Sequence, residues 1–328
     1  FFFNEYEGIG DPLWSRGLGD VYKRQLLCDS LILDLFVVRR LSIFIYVTEV
    51  FEKLLKLNPL SDDTYLAPPS PEGGQRTFGG QFLCHSLRAA QLTVELPKFV
   101  HSSHSYFLRP GDVNKETTLK VERIKDGRSF SSRQVTATQA NVEVFRTLLS
   151  FHIPESGFTW QPEALEDLPG PDDDLITYSD YWESQLGLAA GKWHGRIRPI
   201  EIRYINPPML PADIPITEPQ LMWMRMSEPI DENQQLHECA LAYMADATLI
   251  DHVTLPHGKR WQDERLTGTS LDHAMWFHQV PKADTWLLYK QSVESTSGAR
   301  GLAIGKFFNH EGLLVASCMQ EGLMRWEF

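Results

Sequence analysis

Cysteine is scarce: the 328 residues hold four, Cys28, Cys84, Cys239 and Cys318, with no C-x-x-C pair. That argues against a disulfide scaffold and a cysteine zinc site, and it fits a reducing interior compartment. No N-x-S/T sequon occurs, which points the same way. Positive charge is also short, with 31 Lys plus Arg against 43 Asp plus Glu and a net charge of −12. The balance argues against a nucleic-acid partner, because backbone phosphates reward clustered cations. A small polyanion would need a local basic patch working against the overall field. Long apolar runs are missing too. Leu26–Val47 is broken by Asp29, Asp34, Arg39 and Arg40. No membrane span is expected from it, and it lies too far along the chain for an ordinary signal peptide. The G-x-S-x-G elbow, the P-loop, H-E-x-x-H and the Rossmann glycine pattern are all absent. A serine acyl-enzyme and a metalloenzyme are therefore unsupported, and no cofactor is expected. What remains is acid–base or water-activating chemistry by residues brought together from different elements.

With hydrophobics at 42% and charged residues at 23%, the chain can bury a sizeable core in about two domains. Ser15 to Gln25, SRGLGDVYKRQ, reads as a translated transposase adapter. Residues 1–46 are accordingly expected to be a non-native leader and are left out of the fold argument. A short helix is expected over Val50–Leu57, stopped by Pro59, and a longer one opens at Phe78-Gly79-Gly80-Gln81 and ends before Pro97. Strands are expected over Phe99–Leu108, Thr118–Ile124, Ser129–Thr138 and Val142–His152, with hairpin turns at Asp126-Gly127 and Ala140-Asn141. From Pro154 to Pro199 the chain turns acidic and proline-rich and reads as a linker carrying a helix around Tyr178–Leu188. The second half repeats the first: strands at Ile200–Ile205 and Leu221–Met226, a long helix over Leu236–Ile250, then four more strands from Ser270 to Met324. The expected division is an N-terminal domain over 47–155, a linker over 156–198 and a C-terminal domain over 199–328. Each domain offers one helix apolar on all sides, and such a helix belongs inside a curved sheet.

Asp246 is the most informative residue. Expected on a helical stripe with Cys239, Tyr243 and Ile250, it is a poor interior helix former, and a buried carboxylate needs a partner. It is either a structural Asp held by backbone or Arg, or a carboxylate that deprotonates water. Ser270 offers a hydroxyl. Gln320 alternates onto the face of Ala316 and Cys318, so its amide is expected to point inward. Nothing in composition or spacing proves that the three meet. His101 and His104 are rival bases, although histidines at buried strand ends are more often core residues. Arg109, Lys259, Arg260, Arg265 and Arg300 are available to anionic groups.

Five segments together resemble the acyl-CoA thioesterase II family, bacterial and peroxisomal. They are Phe78–Gln81, His101–Asp112, Leu236–Ile250, Ser270–His278 and Gln320–Arg325. The resemblance runs over about residues 47–328 and implies an α+β tandem hotdog fold, two antiparallel sheets each wrapping a central helix. It implies hydrolysis of medium- to long-chain acyl-CoA to fatty acid and CoA, with Asp246, Ser270 and Gln320 holding the attacking water. Gly79, Gly80, Gln81, His101, His104 and Arg109 are the expected substrate-binding residues, the Phe78–Gln81 turn being a candidate oxyanion site. Acyl-CoA is the expected partner, with a homo-oligomer through the hotdog sheets as a further expectation. The end Met324–Phe328 lacks the Ser-Lys-Leu signal of peroxisomal relatives, which leaves peroxisome and cytoplasm both open. The alternatives are a hotdog hydratase, needing a His–Asp or Asp–His pair acting on a carbon acid, and a non-catalytic acyl-CoA sensor.

Overall fold

The computed structural model describes residues 50–71, 76–161, 168–186, 198–208, 213–261 and 263–327. The leader expected over 1–46 lies outside the described residues. Among the described residues, thirteen strands form one antiparallel sheet. In chain order they are β1 (Asn58–Ser61), β2 (Thr64–Ala67), β3 (Phe99–Phe107), β4 (Thr117–Asp126), β5 (Phe130–Gln139), β6 (Val142–His152) and β7 (Ile200–Tyr204). Then follow β8 (Gln220–Met226), β9 (Leu266–Ser270), β10 (Asp272–Phe277), β11 (Leu287–Ser297), β12 (Arg300–Phe308) and β13 (Leu314–Trp326). The helices are α1 (Val50–Leu54), α2 (Gly79–Gln91), α3 (Tyr178–Leu186) and α4 (Gln234–Ala245), with a 3₁₀ helix over Leu249–His257.

The strands form where polar and apolar residues alternate. β5 is the clearest, its burial changing at every residue from Phe130 to Gln139. Ala140 and Asn141 both take positive φ, 48° and 64°, and close the β5–β6 hairpin as a two-residue turn whose twist matches its strands. Gly298 and Ala299, at 56° and 57°, do the same between β11 and β12.

The sheet runs β1-β2-β4-β5-β6-β3-β10-β13-β12-β11-β8-β7, with β9 added against β13. This order is a palindrome about the β3–β10 pair. The expected two sheets are thus joined edge to edge through Ala274 opposite His104 and its neighbours. Inside the curvature lie α2 and α4, buried along nearly their whole lengths. The expectation of helices apolar on every side is too simple, since α2 also buries Gln81, His85, Ser86 and Gln91 and α4 buries His237 and Glu238. The burial is still driven by the apolar side chains, each fully buried Leu, Phe or Met contributing about 1.5–3 kcal/mol. The two helices touch backbone to backbone: a Cβ on Gly80 would lie 2.5 Å from the Tyr243 carbonyl oxygen.

Three expectations change. The first helix stops at Leu54 and the chain turns into β1, an exposed edge strand in which Pro59 is tolerated. The expected helix over Leu236–Ile250 ends at Ala245 and gives way to the 3₁₀ helix. The strand expected from Ser270 divides at Leu271 into β9 and β10.

Candidate active site

The break at Ala245 is what creates the site. Asn233 caps the start of α4, accepting from the Gln235 N–H at 3.0 Å, and Asp246 caps its end at φ −88° and ψ −3°. Asp246 therefore escapes the helix interior, where Asp is costly. The turn carries its carboxylate to the start of α2. That helix lacks its own cap: Phe78 offers no acceptor and the first turn holds no acid. Asp246 supplies both, its Oδ2 accepting from the Gly80 N–H at 2.8 Å. A helix N-terminus favours an anion, so this contact favours the ionised carboxylate. Gly79 makes room for it, since an added Cβ would lie 2.6 Å from Oδ2 and 2.8 Å from the Phe107 ring.

Gln320 reaches the other oxygen. Its Nε2 donates to Asp246 Oδ1 at 2.6 Å and to Ser270 Oγ at 2.9 Å. A carboxylate only accepts, so Asp246 fixes which way the amide faces. Strand alternation turns Gln320 inward from β13, and its side chain is fully buried. Its Oε1 has no hydrogen-bond partner among the described residues. Ser270 is the last residue of β9, opposite Gly322, and the break at Leu271 ends the strand there. Asp246 and Ser270 both face a cleft of about 460 Å³. Phe78, Phe82, Phe107, Ile250 and Trp261 form its apolar walls, and Arg76, Arg109 and Asp251 bring charge.

Two family models match the chain: acyl-CoA thioesterase over residues 216–323, and acyl-CoA thioesterase N-terminal domain over 66–152. Human acyl-coenzyme A thioesterase 8 is 33% identical over 282 residues, 83% of this chain and 88% of the human protein. The chain belongs to the acyl-CoA thioesterase family. Acyl-CoA thioesterase 2 of Haemophilus influenzae is 30% identical over 83% of this chain and 96% of its own length. Among solved structures, the acyl-CoA thioesterase II TesB2 from Mycobacterium marinum superposes with a TM-score of 0.70 at 37% identity, covering 84% of this chain and 98% of that one. The fold is the tandem hotdog of these thioesterases.

Within this thioesterase the expected residues are distributed unevenly. Asp246, Ser270 and Gln320 come together. Gly79 and Arg109 line the cleft, Arg109 holding the Glu143 carbonyl at 2.8 Å. Gly80 meets the Asp246 carboxylate instead of an open anion position, so its N–H is engaged where an oxyanion donor was expected. Gln81 is buried and donates to the Pro68 carbonyl at 3.4 Å. His101 bonds Ser150 at 2.8 Å and packs edge-on against Phe130, burial lowering its pKa. His104 is exposed on β3, edge-on to Trp276. Neither histidine reaches the cleft, and no histidine lines it among the described residues.

Asp251 is the residue that sequence reasoning passed over. It lines the cleft from the 3₁₀ helix, where burial pushes its carboxyl up to about 7, the charge of Asp246 adding to the rise and Arg198 opposing it. Arg198 stacks over the Phe78 ring at 4.1 Å and so braces the start of α2. A lone acid in the apolar run Leu249-Ile250-Asp251-His252-Val253 was the available signal.

The palindrome gives the site a mirror image. Phe107 faces Phe145 in β3–β6 as Phe277 faces Ala316 in β10–β13, so Leu149 stands where Gln320 does. Val100 opposite Phe151 matches Ser270 opposite Gly322. Counting from the helix caps Phe78 and Asn233, Gln91 matches Asp246. None of the three mirrored residues can take a proton from water.

Proposed function

We propose that this protein hydrolyses medium- to long-chain acyl-CoA thioesters by direct attack of water, with Asp246 as the base. The observation that carries the reading is the Gln320 amide bridging Asp246 Oδ1 and Ser270 Oγ beside a cleft with apolar walls. Hydroxyl and amide orient the water; Asp246 removes its proton as the oxygen attacks the thioester carbonyl. The tetrahedral intermediate then collapses, the C–S bond breaks, and the proton passes from Asp246 to the departing CoA sulfur. Fatty acid and free thiol are the products, and Asp246 is again ionised. The positive end of α2 favours negative charge developing beside it.

A hydratase would need a histidine beside an acid at the reacting carbon. His273, which follows Asp272 in the sequence, is buried and neither ring nitrogen has a partner among the described residues. A sensor without turnover gives no reason for an amide, a hydroxyl and an acid to converge on one point.

The proposed domain division is 47–155, 156–198 and 199–328, which the mirrored strand order supports. A peroxisomal or cytoplasmic location is part of the proposal, supported by Cys84, Cys239 and Cys318, which are buried and held as thiols rather than disulfides. So is self-association through the outer sheet face, where Tyr106 and Leu148 are exposed. The test of function is release of free thiol from acyl-CoAs of increasing chain length. Activity rising from short to medium and long chains is expected, and no release from any of them would end the proposal.

A further inference from the structure

A second cavity, of about 950 Å³, opens beside the ends of β9 and β13. Thr267 lines both this cavity and the catalytic cleft. Around the second one stand His257, Lys259, Arg265 and Arg325, with Glu327 the only acid among the described lining residues. In a chain of net charge −12, that concentration runs against the overall balance. Lys259 is paired with Asp213 at 2.6 Å and Arg265 with Asp263 at 2.9 Å, and neither carboxylate lines the cavity. The same two cations lie over the Trp326 ring, at 5.3 Å and 4.8 Å from its centre. The Arg325 side chain is exposed and has no hydrogen-bond or ion-pair partner among the described residues. Strand register sets Arg325 opposite Thr267 and Trp326 opposite Leu266.

We propose that this cavity binds the 3′-phosphorylated adenosine diphosphate end of the acyl-CoA, an assignment that rests on the function proposed above. Each part of that group has a matching side chain. Arg325 offers paired N–H donors to phosphate oxygens, Arg265 the Nη1 group that Asp263 leaves over, Lys259 a point charge, and Trp326, with both cations over its ring, an apolar wall beside the adenine. Reach fits as well. β9 carries the chain from Ser270, at the reacting centre, to Leu266 at the cavity, about 13 Å at strand spacing. The pantetheine arm would lie along β9, joining the thioester to the nucleotide.

The experiment presents one acyl group to the full chain twice, once on CoA and once on pantetheine, which lacks the nucleotide. Arg265→Gln and Arg325→Gln, singly and together, replace exposed side chains. In the double variant the ratio of kcat/KM for acyl-CoA to that for acyl-pantetheine should fall at least tenfold, through KM for acyl-CoA. Lys120→Gln, on β4, should leave the ratio unchanged. Adenosine 3′,5′-bisphosphate should inhibit the parent competitively and lose its hold on the double variant. An unchanged ratio in the double variant, with the parent hydrolysing acyl-CoA, would overturn this assignment alone. A parent that releases no thiol from either substrate would overturn the hydrolase reading beneath it.

Discussion

Replacing Asp246 with Asn tests the chemistry with little change of shape. The oxygen of the new amide still accepts from the Gly80 N–H, as Oδ2 does at 2.8 Å. Its NH₂ then faces Gln320, whose amide now donates at 2.6 Å to Asp246 and 2.9 Å to Ser270. A half-turn of the Gln320 amide brings round Oε1, which has no partner among the described residues. That oxygen accepts from the new NH₂ and from the Ser270 hydroxyl, so the network inverts without losing a bond. The flip leaves the Gln320 NH₂ buried where Oε1 had no partner, so the cost to stability is about 1–3 kcal/mol, a shift of several degrees in Tm. Turnover has no such rescue. A positioned base contributes about 10²–10⁴ in rate, so kcat should fall at least a hundredfold, equivalent to about 2.7 kcal/mol of barrier. Free-thiol release, with Tm measured on the same sample, reads both quantities. A variant that keeps kcat within tenfold of the parent would show that Asp246 is not the base.

Gln320→Leu copies the mirrored residue Leu149 and should fold normally while kcat falls by about a hundredfold, checked by the same assay and by circular dichroism. Gly79→Ala places a methyl group 2.6 Å from the Asp246 carboxylate, and overpacking of this kind costs about 1–3 kcal/mol; Tm and kcat should fall together. Asp251, pushed up to about 7, is uncharged across the acid limb and gains its charge only near neutrality, so Asp251→Asn should leave the acid limb of the kcat–pH profile in place and remove any inflection near pH 7. An acid limb that moves in this variant would show that Asp251 already carries charge there. Glu238, buried between the helices, is pushed up by burial to about 8, against hydrogen bonds from Gln234 and Gln91. The folded state therefore holds a proton that the unfolded chain gives up near its ordinary value. Stability falls as pH rises between those two values and is lowest above about 8. Glu238→Gln should flatten the decline in Tm between pH 5 and 9, which thermal melts at several pH values will show.

What could be read from the sequence depended on the range of the forces involved. Strand alternation is local, so β5 and β6 were found nearly to the residue, and the inward turn of Gln320 followed from the same period. Asp246 stood out because a lone acid in an apolar run demands a partner. The end of its helix was misplaced because Ala247 to Ile250 continues the apolar pattern, and only packing against α2 decides where the helix yields. β1 was missed because Pro59 reads as a helix stop, and an exposed edge strand carries no alternation. Asp251 and Arg198 gain their meaning from residues far along the chain, as Arg198 does from Phe78. The Ser270–Gln320 contact is of the same kind, and only the family resemblance anticipated it.

Duplication predicts two candidate sites, and the side chains explain why, among the described residues, the acid and the hydroxyl meet at one. The mirrored triad is Gln91, Val100 and Leu149, which keeps the shape and removes the acid and the hydroxyl. Gln91 is not idle. Its Nε2 donates to Glu238 Oε2 at 2.9 Å and to the Gln235 carbonyl at 3.0 Å, and its Oε1 accepts from the Cys239 thiol at 3.3 Å. Each helix end thus meets the start of its partner: Asp246 to Gly80 at one crossing, Gln91 to Gln235 at the other. The difference is what lies beyond. At Asp246 the strands supply Ser270 and Gln320 beside an open cleft; at Gln91 they supply Val100 and Leu149, both buried in core. A buried polar group must be bonded to be tolerated, so the second crossing closes its network internally and binds the two halves together. The first leaves an acid and a hydroxyl at the edge of an opening, with the buried Gln320 amide behind them. One crossing holds the halves together, and the other is the one proposed to react.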